Sequence, residues 1–318
     1  MSGDFGPRTA VLAAKKAVDA YPSLSIVLIG DLAFSDFSSP HARIKIISAA
    51  TVVAMDENPA HALRHGRESS MAVALNQVAD GLADACVSSG NTGALVALSC
   101  HILGVFESVS RPAICKLMPS VKGRAYLLDI GANSVCTALQ LQQFALMGAA
   151  LVPLVSARVG LLNIGTEAGK GPEFIREAAA LLMCTEGIEY SGFIEADQLL
   201  KAVVDVIVCD GFSGNIALKA SEGTARYIAA QVSSSLKTSL WMRLQAVLAW
   251  PLLRRWRQQF NPSRYNGAIL LGLRGLVIKS HGGADELALF SAITSAYEQV
   301  ENQVLDSVKM RLETLNRR

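Results

Sequence analysis

The feature that most constrains the fold of this chain is a repeated pattern of short apolar runs, each followed by a glycine-rich polar turn. The pairs are ADACV before SSGNTG, AYLLD before IGANS, VGLLN before IGTEAGKG, VDVIVC before DGFSGN, and GLVIKS before HGGAD. Continuous apolar runs are typical of strands buried on both faces of a parallel sheet. Helix-like stretches at Pro172–Thr185 and Ser213–Ser233 fit the crossovers. The pattern predicts an α/β fold, a doubly wound αβα sandwich with a mostly parallel sheet.

The polar turns predict where a ligand binds. In sheets of this kind, ligands gather at the carboxyl ends of the strands, and each polar turn is expected there. Glycine also serves tight strand-to-helix turns, which is the other interpretation of any single turn. Five turns that carry Asn, Asp, Lys or His indicate one site assembled from several loops.

A second feature is a long stretch without acidic residues. Between Glu222 and Asp285 the chain has nine basic residues, no Asp or Glu, and all three tryptophans. We expect a single α/β domain over residues 1–318, from which residues 236–264 protrude as a helical hairpin, because Pro251 interrupts a continuous helix. At the C-terminus, apolar residues at helical spacing predict one long helix over Glu286–Leu315.

The basic, tryptophan-rich hairpin allows three interpretations. It suits reversible contact with anionic lipid headgroups, docking of an acidic protein partner, or packing across a dimer interface. The contact candidates are Trp241, Arg243, Trp250, Arg254 and Arg255. No apolar run reaches the roughly 20 residues of a membrane span, and the N-terminus lacks a secretion signal. We therefore expect a cytoplasmic protein that associates peripherally with membranes and does not bind nucleic acid.

The motifs themselves resemble a known family. They are SSGNTGAL (Ser88–Leu95), LLDIGANSVC (Leu127–Cys136), VGLLNIGTEAGKG (Val159–Gly171), CDGFSGNIALKASEG (Cys209–Gly223) and YNGAILLGLRGLVIKSHGGAD (Tyr265–Asp285). Together with MSGDFGP and AMDENPAHALRHGRESSM, they resemble the phosphate acyltransferase family of bacterial phospholipid synthesis over nearly the whole chain. The resemblance also implies a strand before the MSGDFGP loop. Either that strand is encoded upstream of Met1, as we expect, or this chain lacks it.

The resemblance implies a homodimeric enzyme that needs no cofactor and no metal. Its members transfer a long-chain fatty acyl group from acyl carrier protein to inorganic phosphate. The acyl phosphate product then serves a glycerol-3-phosphate acyltransferase. Acyl carrier proteins are strongly acidic, so the arginines of the hairpin are also candidates to receive that partner.

Phosphorolysis of a thioester needs a cation for phosphate and hydrogen-bond donors for the developing oxyanion. The catalytic candidates are Lys170, Asn215, Asp210 and His281. Lys170 is expected to neutralise phosphate, Asn215 to donate an amide hydrogen, and His281 to protonate the leaving thiolate. Asp210 is expected to orient loops rather than to exchange protons. A surface lysine, a helix cap and a structural histidine are the respective alternatives.

Further substrate-binding candidates lie in the same turns. They are Asn91, Thr92, Asp129, Asn133 and Lys279, of which Asn91 and Asn133 could equally be helix caps. Asp129 ends an apolar run, where a carboxylate is costly unless it is hydrogen-bonded, so it too is expected to orient a loop. Two other functions remain open: an isopropylmalate-type dehydrogenase, and a non-catalytic membrane-bound scaffold for lipid synthesis.

Overall fold

The computed structural model describes residues 3, 5–30, 41–120, 123–236, 249–251, 254 and 261–313, and it confirms the α/β class. The strands are β1 (Ile26–Gly30), β2 (Ile44–Ser48), β3 (Ala85–Ser88), β4 (Ala113–Ser120), β5 (Gly123–Leu128), β6 (Ala157–Leu162), β7 (Ile188–Ile194), β8 (Val206–Val208), β9 (Ala268–Leu271) and β10 (Leu276–Lys279). The helices are α1 (Gly6–Ala20), α2 (Pro59–His65), α3 (Ser70–Ala79), α4 (Thr92–Ile102), α5 (Ala138–Ala149), α6 (Glu173–Met183), α7 (Gly211–Ser235), α8 (Glu286–Glu301) and α9 (Val304–Glu313). All five apolar runs of the sequence pattern form strands.

Eight of the strands form one mixed, mostly parallel sheet in the order β3-β10-β9-β4-β5-β8-β6-β7. β3 and β10 are parallel, and β5, β8, β6 and β7 are parallel to one another. Between these groups lie three antiparallel pairings, β10 with β9, β9 with β4, and β4 with β5. An odd number of reversals makes the two groups run in opposite directions. β1 and β2 form a separate parallel pair.

This topology corrects the expectation that all five polar turns meet at one edge of the sheet. The turns after β3 and β10 lie at one edge, and the turns after β5, β6 and β8 lie at the opposite edge. The apolar runs alone do not reveal strand direction, because a buried strand has the same composition in either direction. Convergence of the motifs therefore requires an element that crosses the sheet, and α7 is that element.

Helices cover both faces of this sheet, as alternation along the strands requires. Val206 and Val208 point into a core that includes Phe144 and Met147 of α5, whereas Ile207 between them packs on the other face with α7. Burying a side chain such as Phe144 contributes about 1.5–3 kcal/mol. α3 and α4 complete the second face over β3, β9 and β10.

The C-terminal segment differs from the predicted single helix. It forms α8 and α9, separated at Asn302 and Gln303, where Gln303 adopts a positive φ of 50°. The break turns the chain so that Val304, Val308 and Leu312 reach the core. The expected hairpin at 236–264 falls largely outside the described residues. α7, which leads towards it, leaves the body of the protein: Tyr227 is 65% exposed. None of the described helices is both long and apolar enough to cross a bilayer.

Candidate active site

A cavity of about 130 Å³ lies over β4, β9 and β10 on the face of the sheet that α7 covers. α7 lines it with Asn215, Leu218, Lys219 and Glu222, which share one face of the helix because they are three or four residues apart. The strands contribute Ile114, Lys116, Ala268 and Lys279, and the turns contribute Thr92, Ile130, Ser280 and His281. Four of the five predicted motifs thus supply residues to one cavity, from both edges of the sheet.

Two glycines set the position of α7. The helix begins at Gly211, and Asp210 caps it, since its carboxylate accepts hydrogen bonds from Ser213 N and Ser213 Oγ, both at 2.8 Å. A side chain at Gly214 would collide with the backbone carbonyl of Asp129, and one at Gly211 would meet the backbone of Asn133. The glycines therefore let the helix lie directly on the loop that follows β5. Asp210 caps the helix and is not among the residues that line the cavity.

Asp129 organises that loop. It is fully buried, and its carboxylate accepts hydrogen bonds from the backbone N–H groups of Ile114, Gly131, Ala132 and Asn133 at 2.7–3.1 Å. Burial raises the pKa of Asp129, and the hydrogen bonds oppose that rise. These hydrogen bonds tie the loop to the carboxylate of Asp129. That Asp129 orients the loop rather than exchanging protons stays a prediction.

The asparagines differ in what their side chains do. Asn133 is buried and donates from Nδ2 to Pro112 O and to Asp129 Oδ2. Asn91 caps α4 and donates to the carbonyls of Ala54, Met55 and Glu57. Both side chains thus hydrogen-bond within the protein, and their part in substrate binding stays a prediction. Asn215 instead lines the cavity, with its Cβ and Cγ beside Gly131.

The cavity is rich in lysine. Lys116 Nζ lies 2.8 Å from one carboxylate oxygen of Glu222, and Lys219 Nζ lies 3.1 Å from the other. Burial raises the pKa of Glu222, but the hydrogen bonds and charges of the two lysines outweigh burial, so the pKa is lowered. Lys279 is only 9% exposed and donates from Nζ to the carbonyl of Ser280. Burial, with the neighbouring charge of Lys219, lowers the pKa of Lys279 to about 8.

His281 borders these lysines. Its Nδ1 accepts a hydrogen bond from Gly283 N at 3.1 Å, which assigns the proton of the neutral ring to Nε2. Nε2 then lies 3.5 Å from Lys219 Nζ as a contact between two donors rather than a hydrogen bond. Burial and the nearby lysines lower the pKa of His281. A neutral ring at physiological pH donates a hydrogen bond but is a poor source of a proton. This geometry favours donation from Nε2 over the predicted protonation of a thiolate.

Lys170 stands apart from the cavity. It is exposed in the loop after β6, where its backbone carbonyl accepts from Asn163 Nδ2 and its N–H donates to Glu167 O. The residues that line the cavity do not include Lys170. Its role in neutralising phosphate remains a prediction.

Sequence reasoning missed three charged residues of the cavity and one polar residue. Lys116 is the single charged residue in the apolar strand AICKLMPS, which was a usable signal. Lys219 and Glu222 lie within the recognised motif CDGFSGNIALKASEG, but sequence reasoning assigned them no role. Asn266 donates to Ser280 Oγ and Ala288 O and accepts from His281 N, so it fixes the turn that carries Lys279 and His281.

Of the predicted membrane or carrier-protein contacts, two lie within the described residues. Trp250 is 58% exposed and Arg254 is exposed as well. Trp241, Arg243 and Arg255 lie outside the described residues.

The fold has counterparts among solved structures. EutD phosphotransacetylase from Staphylococcus aureus matches 96% of this chain and 91% of its own, with a TM-score of 0.56 at 16% identity. A phosphotransacetylase from Streptococcus pyogenes matches 93% of each chain, with a TM-score of 0.55 at 18% identity. The fold is therefore the α/β fold that phosphotransacetylases adopt, here with a lysine-rich cavity.

Sequence comparisons give the family. The family model described as "Fatty acid synthesis protein" matches residues 1–307. The phosphate acyltransferase of Cellvibrio japonicus is 47% identical over 96% of this chain and 93% of its own length, and that of Marinobacter nauticus is 46% identical over 99% and 94%. The chain belongs to the phosphate acyltransferase family. It is an acyltransferase that acts in fatty acid and phospholipid synthesis, and the dehydrogenase and scaffold alternatives are not favoured.

Proposed function

We propose that this enzyme takes a long-chain fatty acyl group from the thioester of acyl carrier protein and transfers it to inorganic phosphate. A phosphate oxygen attacks the carbonyl carbon to form the new C–O bond. The C–S bond then breaks, and the sulfur leaves with the electron pair and takes up a proton from water. The products are acyl phosphate and free carrier protein. The observation that carries the proposal is the lysine-rich cavity at which four motifs meet.

Two neutral donors face that cavity, and we assign them to the oxyanion. Asn215 presents a side-chain amide, and His281 presents Nε2–H. Preorganised donors of this kind stabilise the charge that develops on the carbonyl oxygen. Asp210 supports them indirectly by capping the helix that carries Asn215. Comparing a variant of Lys170 with variants of the cavity lysines tests the role predicted for Lys170.

The activity is tested by following the loss of a long-chain acyl carrier protein thioester with and without phosphate, with no nucleotide or metal added. We expect phosphate-dependent loss with acyl phosphate as the product. Asn215→Ala should lower kcat by about 100- to 1,000-fold. Asn76→Ala, at an exposed position on α3, is the matched control and should retain activity. Hydrolysis of the thioester at the same rate without phosphate would refute the proposal.

We further propose that the enzyme is a cytoplasmic homodimer that contacts anionic membranes and delivers its product to the glycerol-3-phosphate acyltransferase. The exposure of Trp250 and Arg254 supports the membrane contact. Trp250→Glu should weaken co-sedimentation with anionic vesicles, whereas Leu82→Glu, at a comparably exposed apolar residue, should not. Equal co-sedimentation of Trp250→Glu and the parent protein would refute the contact. Sedimentation velocity tests the dimer.

A further inference from the structure

We propose that the phosphate substrate, a tetrahedral oxyanion, binds between Lys116, Lys219 and Lys279, with Glu222 holding two of these lysines in position. The proposal rests on the proposed function, since it assigns one substrate of that reaction to a place. It moves phosphate away from Lys170, the lysine that sequence reasoning favoured.

The strongest observation is Lys279. Its side chain is 9% exposed and lines the cavity. Within the described part of the chain no carboxylate lies within ion-pair distance of it, and its ammonium donates only to a neutral carbonyl, that of Ser280. A buried cation without a counter-ion is costly, so a protein rarely holds one without a use for it. An anion that enters the cavity supplies the missing counter-charge.

Lys116 and Lys219 complete the charge. Both reach Glu222, whose side chain is 13% exposed and whose two oxygens each accept from one lysine. Three lysines and one glutamate leave the cavity with a net charge of +2, because 3 − 1 = 2 and His281 is neutral. A phosphoryl group carries roughly 1.5 to 2 negative charges at neutral pH, so the charges match. The carboxylate repels an anion but keeps the two ammonium groups from separating.

The size and the remaining donors agree with a small polyanion. A cavity of about 130 Å³ has room for a compact ion. Thr92, the first residue of α4, and Asn215 also line the cavity and add a hydroxyl and an amide. Phosphate held there has the proposed oxyanion donors, Asn215 and His281, beside it.

The experiment is titration calorimetry of the full chain with inorganic phosphate alone, in a buffer free of other polyanions. Lys219→Met and Lys116→Met should each raise the Kd for phosphate by roughly 10- to 100-fold, which is the loss of affinity expected when a hydrogen bond to a charged group is removed. Lys279→Met should raise it at least as much. Lys201→Met is the control, because Lys201 is exposed and pairs with Asp197 on the surface, and it should leave Kd unchanged. Lys170→Met should change Kd by less than about twofold.

Two results would overturn the assignment. One is parental phosphate affinity in both Lys219→Met and Lys279→Met when circular dichroism shows them folded. The other is loss of phosphate binding in Lys170→Met with the cavity lysines intact. Glu222→Gln adds a readout that a merely structural role would not move: it should raise the KM for phosphate several-fold and leave the KM for the thioester unchanged.

Failure of this assignment is distinguishable from failure of the proposed function. If acyl phosphate forms while the cavity variants bind phosphate normally, only the location is wrong. If phosphate binds as described but no acyl phosphate forms from any acyl carrier protein thioester, the location stands and the proposed reaction is refuted.

Discussion

Replacement of Lys279 by methionine should make the protein more stable while it weakens phosphate binding. Methionine has nearly the length of lysine but carries no charge, so Lys279→Met keeps the packing and removes the buried cation. Proteins commonly hold strained or uncompensated groups at functional sites, and removing such a group raises stability at the expense of function.

The magnitude follows from the depressed pKa of Lys279. A fall from 10.5 to about 8 means that the charged side chain is less favourable in the folded than in the unfolded protein. At about 1.36 kcal/mol per pKa unit, the cost at pH 7 is on the order of 3 kcal/mol. Part of it is offset by the hydrogen bond to Ser280 that methionine cannot make. We therefore expect Lys279→Met to raise the free energy of unfolding by about 1–3 kcal/mol.

The sign of the pH dependence gives a sharper test. Below about pH 8 the lysine is charged in both states, so its cost is fully present. Between about 8 and 10.5 the folded state loses the proton first, the unfolded state binds more protons, and stability rises with pH. The advantage of Lys279→Met should therefore be largest near neutral pH and should vanish above the unfolded pKa.

The assay is urea unfolding of both proteins at several pH values in buffer without phosphate, with Lys201→Met as the control for losing an exposed lysine. The free energy of unfolding of the control should stay within about 0.5 kcal/mol of that of the parent protein. A Lys279→Met protein that is equally or less stable at neutral pH would refute the reasoning. So would a stability difference that does not change with pH, because it would arise from packing rather than from charge.

Three other substitutions test the fold. Arg43→Ala should lower the free energy of unfolding by about 2 kcal/mol, measured in urea, because the guanidinium donates to four backbone carbonyls at and after the end of α1; no loss would show those bonds to be dispensable. Asp129→Asn should cost about 2–4 kcal/mol and at least tenfold in turnover, since an amide nitrogen would face backbone N–H groups; parental turnover would contradict the loop-organising role. Gln303→Gly should stabilise by about 0.5–1 kcal/mol, because glycine accepts the positive φ at the α8–α9 break; a loss of stability would count against strain there.

The strands and the helices between them were predictable because their signals are local. Each apolar run followed by a glycine-rich turn became a strand, and α6 and α7 lie within two residues of the predicted helix bounds. The prediction of a single C-terminal helix was wrong because the helix breaks at Gln303, which lets Val304 and Val308 enter a core formed by residues distant in sequence. The helical spacing of apolar residues continues through this break, so the sequence pattern does not reveal it.

The candidate site was only partly predictable. Asn215, Thr92, Lys279 and His281 lie at strand ends, in polar turns or near the start of helices, and the four residues that the sequence assigned to one site line one cavity. Lys170, which has the same local signature, lies in an exposed loop away from the cavity. A glycine-flanked lysine looks the same in both situations, because what distinguishes them is the place of the preceding strand in the sheet: β6 is separated from β4 by β5 and β8.

By itself, the sequence determined the family, the α/β class, five of the strands and the helices α6 and α7, because motifs and periodicity are written in neighbouring residues. Only the tertiary structure decided which charges meet. Three antiparallel pairings reverse half of the sheet, so α7 has to carry Lys219 and Glu222 across it towards Lys116 and Lys279. This cluster of charged side chains brings together residues up to 163 positions apart in the sequence (279 − 116 = 163). It depends on packing and strand direction, which no local pattern encodes.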